Sequence, residues 1–104
     1  MTVIRTKQDI FNLLQRHRDR IKNLGVTRLG LFGSFARGEA ESDSDIDFLV
    51  EFAPGQKTFD SFMQLSFLLE ELLDRQVELV TVASLSPYLG PHILQEVEYV
   101  AIAA

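Results

Sequence analysis

A chain of 104 residues, 46% hydrophobic and 24% charged, has room for one core and the composition to fill it, which excludes a disordered or fibrous protein. The absence of cysteine excludes disulfides and thiolate metal sites, and no run approaches the roughly 20 apolar residues of a membrane-spanning helix. A net charge of −5 argues against a general nucleic-acid binder, so the expectation is a single domain over residues 1–104, cytoplasmic, with no membrane contact and no direct nucleic-acid binding.

The opening segment MTVIRTKQDI turns charged within a few residues and reads as the approach to a helix rather than a leader. Thr6 and Asp9 form a variant capping box, and Ile10, Leu13, Leu14, His17, Ile21 and Leu24 then recur at helical spacing up to a stop at Gly25. His17 on that stripe reads as a core histidine. Eight of the ten basic residues precede Glu39 and thirteen of the fifteen acids follow from it, a split that reads first as a solvated basic helix face beside an acidic region.

Arg28 to Gly33 reads as a short strand, Arg37 to Asp45 as a polar loop, and Ile46 to Phe52 as a largely apolar strand ended by Pro54-Gly55. Phe59 to Arg75 is the clearest helix. Its apolar residues spread over most of the circumference, more than one sheet face would bury, which points to a second apolar contact or a fold that wraps the helix. Gln76 to Val82 is a β-branched strand, Pro91 to Val97 a helix opened by proline, and Tyr99 to Ile102 a short last strand, with His92 exposed. Strands and helices alternate without internal repeat, so the fold class is α/β (or α+β), a small mixed sheet flanked by helices.

The chemistry concentrates between Leu31 and Val50. A strand delivers Gly33-Ser34 to a turn, a polar loop follows, and the chain re-enters the sheet through Asp45-Ile46-Asp47. Residues two apart on a strand share a face, and two carboxylates held that close need a cation between them. Hard oxygen ligands select Mg²⁺, Mn²⁺ or Ca²⁺, while Gly33 allows close backbone approach and Ser34 adds a hydroxyl and an N–H suited to a phosphate. An EF-hand is ruled out because its glycine position holds Phe48 and its bidentate-glutamate position Pro54. A P-loop lacks its Gly-Lys-Ser/Thr, and an aspartyl-phosphate phosphatase would place its acids after the apolar run, not before it. Taken singly, Asp45 is a turn cap and Ser34 a helix cap; together at this spacing they describe phosphate beside metal carboxylates.

Gly33-Ser34, ten residues, then Asp45-x-Asp47 resembles the signature of the nucleotidyltransferase superfamily that includes DNA polymerase β and kanamycin nucleotidyltransferase. The fuller pattern GSFARG followed by SDIDFLV is similar to the minimal nucleotidyltransferases, the MNT antitoxins encoded beside HEPN-domain toxins. The resemblance implies a polymerase β-type fold in which Gly33, Ser34, Arg37, Gly38 and Ser44 meet the nucleotide. Asp45 and Asp47 would hold two Mg²⁺ ions, with ATP as substrate. It places a third catalytic and metal-binding acid on the next strand, where the family has V-D-L-V and this chain has Val77-Glu78-Leu79-Val80. Glu78 keeps the charge but carries it outward by one methylene, about 1.5 Å, and misplacement near 1 Å can cost about 10²-fold.

Larger enzymes of this type carry a second domain for the acceptor, so here the acceptor pocket is expected from another chain, in a homo-oligomer or hetero-oligomer. The resemblance implies an antitoxin that transfers AMP from ATP to a tyrosine hydroxyl of a HEPN toxin. Two alternatives stay open: an antitoxin that neutralises its toxin by contact alone, and a nucleotidyltransferase acting on a small molecule.

Overall fold

The computed structural model describes residues 4–102. Helix α1 (Lys7–Arg16) is followed by a short α2 (Arg18–Lys22), strand β1 (Val26–Phe32), one turn of helix α3 (Ser34–Arg37) and strand β2 (Ile46–Phe52). Helix α4 (Phe59–Leu73), strand β3 (Val77–Thr81), a 3₁₀ turn (Val82–Ser84), helix α5 (Gly90–Glu96) and strand β4 (Glu98–Val100) complete it.

The capping box at Thr6 forms: its hydroxyl accepts from the Asp9 N–H at 3.2 Å while the Asp9 carboxylate accepts from the Thr6 N–H at 3.1 Å. The expected single helix from there to Leu24 is in fact two, broken at His17, whose N–H bonds to Leu14 O at 3.1 Å. His17 is the one polar side chain on the apolar stripe and sits half-buried at the break, while Ile10, Leu13, Leu14 and Ile21 are buried. Gly25, at φ 90°, ends the pair as expected.

The second correction concerns α4, which stops at Leu73 rather than Arg75 because Asp74 adopts the left-handed conformation (φ 52°) that a short polar side chain tolerates. Thr58 and Ser61 cap its start. Leu65, Leu68, Leu69 and Leu73 are buried, yet Phe59 and Phe67 remain 79% and 61% exposed, so the described residues do not cover the apolar surplus of α4.

The strands form one mixed sheet in the order β3-β2-β1-β4. β1 runs antiparallel to β2 and to β4, and β2 parallel to β3, with α4 as the crossover parallel strands require. Leu31 opposes Phe48 and Leu29 opposes Val50, and these four join Ile10, Leu14, Leu65 and Leu69 in the core. Alternation along the strands then turns Phe32, Asp47, Leu49 and Glu78 toward the other face. That face carries the site. No helix among the described residues is long and apolar enough to cross a membrane.

Candidate active site

The turn after β1 is built around Gly33, at φ 78° and ψ −155°, a conformation essentially restricted to glycine. A Cβ added there would collide with the Asp47 Oδ2 atom, so the backbone of this turn lies directly against the carboxylate. The turn cannot drift, because Phe35 and Ala36 of α3 are buried in the core. Gly38, left-handed at φ 73°, ends α3, and the Glu39 N–H bonds back to Ser34 O at 2.8 Å. Lys7 Nζ also holds α3 by donating to Ala36 O at 3.3 Å and to Glu98 Oε2 at 2.8 Å.

Pairing in the sheet brings the acids together. Phe32 opposes Asp47, and Asp47 opposes Glu78 in the parallel ladder. The Asp47 carboxyl is half-buried and pushed up to about 6: by burial first, then by the charge of Glu78, a hydrogen bond shared with Glu78, and the charge of Asp45, against a smaller downward pull from Arg37. Asp45 lies just ahead of β2 and is exposed. Among the described residues, no three acidic or histidine side chains close around a single point as a metal cage would. An open set of acids in which Glu78 and Asp45 raise the proton affinity of Asp47 fits Mg²⁺, which binds through one or two carboxylates and takes its other ligands from water and substrate phosphates.

The loop before Asp45 is fixed from outside. Arg75, released by the early end of α4, donates to Ser44 O at 2.6 Å and Glu41 O at 3.1 Å, with its guanidinium 4.9 Å from the centre of the Phe35 ring. On the other side of the turn, Arg37 donates to Glu39 Oε2 and to Glu96 Oε1, both at 2.8 Å, and these partners push its guanidinium pKa further up. The second oxygen of Glu96 accepts from the Gly33 N–H at 2.7 Å. Burial favours the protonated form of Glu96, but Arg37 and the Gly33 N–H outweigh it and hold the carboxyl below its usual range.

The model of the nucleotidyltransferase domain family matches residues 14–100, a span that includes the Gly33 turn, all three acids and Glu96. The chain belongs to the nucleotidyltransferase family. A protein adenylyltransferase, MntA of Thermococcus cleftensis, is 38% identical over 96 residues, covering 91% of this chain and 96% of that one. A solved chain assigned to the minimal nucleotidyltransferases superposes with a TM-score of 0.70 at 36% identity, covering 85% of this chain and 93% of that one. A chain from a toxin–antitoxin crystal structure with AMP-PNP gives a TM-score of 0.62 at 26% identity, covering 80% and 71%. The polymerase β-type sheet with flanking helices is therefore the fold of this nucleotidyltransferase.

Within it, the residues marked out by sequence separate into two groups. Gly33, Asp47, Glu78, Asp45 and Arg37 are brought together around one turn and one strand pair. Gly38 serves α3 as its left-handed cap, and the Ser44 hydroxyl accepts from the Glu41 N–H at 2.8 Å in its own turn. A groove of about 440 Å³ between Arg20, Leu24, Phe67 and Glu71 includes none of these groups. Sequence reasoning missed Glu96 and Arg75. Neither stands near the motif in the chain, and each reaches the site only through the folding back of a later element.

Proposed function

We propose that this nucleotidyltransferase is the antitoxin of a toxin–antitoxin pair. It would transfer AMP from ATP to a tyrosine hydroxyl of a HEPN-domain toxin, in the cytoplasm. The observation that carries the reading is the contact of the Gly33 turn with Asp47, because it sets a backbone suited to phosphate directly against a carboxylate paired with Glu78.

The backbone of Gly33 and Ser34 and the guanidinium of Arg37 would receive the triphosphate, with Gly38 and Ser44 shaping the loop that closes over it. Asp45 and Asp47, with Glu78, would hold two Mg²⁺ ions, which when bound offset the charge of carboxylates and phosphates and stabilise the attacking and leaving oxygens. The tyrosine oxygen forms the new bond to the α-phosphorus, the bond from that phosphorus to the bridging oxygen of the β-phosphate breaks, and pyrophosphate leaves. Glu78, the more exposed member of the acid pair, would take the hydroxyl proton. Asp47, against the Gly33 turn, would serve the metal side of the site. An AMP group adds an anionic phosphodiester, which would oppose RNA binding at a basic toxin surface. The protein adenylyltransferase relative and the toxin–antitoxin neighbour support the acceptor class. The exposed Phe59 and Phe67 support contact with another chain, a toxin or a second copy.

The test is incubation of the protein with ATP labelled at the α-phosphate, Mg²⁺ and a HEPN-domain toxin from the same source, with Asp47→Ala in parallel. Label on the partner, lost with Asp47→Ala and with EDTA and removed by Tyr→Phe at the modified position, supports the reading. A stable complex without label would instead establish neutralisation by contact. Label on an added aminoglycoside alone would establish a small-molecule acceptor.

A further inference from the structure

The two donors that the proposed function reserves for the triphosphate, the Gly33 N–H and Arg37, are both taken by one carboxylate of the protein itself. Glu96 Oε2 accepts from Gly33 at 2.7 Å and Glu96 Oε1 from Arg37 Nη1 at 2.8 Å. A carboxylate offers these donors what a phosphate offers, two anionic oxygens in a fork. Glu96 is the last residue of α5, where the helix's own carbonyls disfavour a negative charge, so the contact to Gly33 and Arg37 accounts for its place better than anything within the helix. Its side chain is only 24% exposed while that of its partner Arg37 is 48% exposed. The glutamate is tucked under the arginine, against the turn.

We propose that Glu96 is an internal stand-in for a nucleotide phosphate, so that ATP binds by displacing it from Gly33 and Arg37. The inference rests on the reading that these two groups receive the triphosphate. Two anions cannot share the same N–H and the same guanidinium edge, so the nucleotide meets a site that is competent only in the fraction of molecules where Glu96 has swung away. Its apparent affinity is lowered by that fraction. The device would keep a small, open site from holding free nucleotide tightly.

Calorimetric titration with Mg²⁺ and AMP-PNP tests it on the wild type, Glu96→Ala, Glu96→Gln and Glu39→Gln, each first shown to unfold cooperatively. Both Glu96 variants should bind about 5- to 10-fold more tightly than wild type. Glu39→Gln removes an equal charge from Arg37 without touching Gly33 and should change affinity less than about 2-fold. Weaker or unchanged binding in the Glu96 variants would show a brace rather than a stand-in and overturn the proposal. Equal tightening by Glu39→Gln would reduce the effect to general charge and overturn it too. The Gly33 amide resonance gives an independent reading: it should move upfield in nucleotide-free Glu96→Ala, and an unmoved resonance would remove the contact itself. If that resonance responds but no variant, wild type included, binds nucleotide, the functional reading falls and takes the stand-in with it.

Discussion

Asp47 and Glu78 are direct partners in the parallel ladder between β2 and β3, and the charge of Glu78 helps hold the Asp47 carboxyl above its ordinary range. A glutamate where the resemblance implies an aspartate therefore still stands beside Asp47. The register brings Glu78 back to Asp47 from the neighbouring strand.

Glu78→Gln should lower AMP transfer by about 10²-fold, because it removes the proposed base, and it should let the Asp47 carboxyl fall back toward its ordinary range. Glu78→Asp, which restores the family's residue, should keep transfer within about tenfold of the parent. Initial rates with α-labelled ATP decide it. Full activity in the glutamine variant would remove Glu78 from the mechanism.

The raised carboxyl of Asp47 gives a signed dependence of stability on pH. Its folded value of about 6 lies above the unfolded value of 3.8, so between these the folded chain binds more protons than the unfolded one. Stability contributed by this group is thus present at low pH and lost as pH rises through that window. In metal-free buffer the wild type should lose stability relative to Asp47→Asn from about pH 4 to 6 and then run parallel to it. Mg²⁺ at neutral pH should restore stability to the wild type and not to the variant. Thermal unfolding at a series of pH values measures both.

Gly33→Ala should fail on two counts. It forces a side chain into a backbone region that costs about 1–3 kcal/mol, and its methyl displaces the Asp47 carboxylate. Denaturant titration should show a loss of that order, and nucleotide binding should vanish even where the protein stays folded. Retained binding would separate the turn from the nucleotide site.

Arg75→Ala should loosen the loop that delivers Asp45, since Arg75 donates to the carbonyls of Ser44 and Glu41 and lies over Phe35. A destabilisation of about 1 kcal/mol is expected, with faster amide exchange confined to residues 38–45. Arg75→Lys, which lacks the planar fork, should recover only part of it. Uniform exchange across the chain would contradict the local role.

The turn from Gly33 to Gly38 and the pair Asp45 and Asp47 were legible in the sequence because each depends on short-range rules: a glycine where a strand turns, two acids where the next strand begins, a fixed gap between them, although Asp45 falls just outside the strand on which it was expected. The strand Ile46–Phe52 was legible to its ends for the same reason. The helix break at His17 was not, since periodicity continues unbroken through it, and neither was the early end of α4, which hangs on the conformation of the single residue Asp74.

By itself, then, the sequence determined a phosphate-suited turn and a carboxylate pair, which local spacing dictates without any distant contact. Glu78 was marked only by the resemblance of Val77-Glu78-Leu79-Val80 to a strand of the nucleotidyltransferases. Only the tertiary structure decided which groups meet. The parallel register set Glu78 against Asp47, Asp74 freed Arg75 to hold the loop, and the return of α5 brought Glu96 onto Gly33 and Arg37 from 63 and 59 residues away. Contacts at that separation leave no period or motif in the chain, because they are fixed by how the sheet and helices pack rather than by the residues on either side.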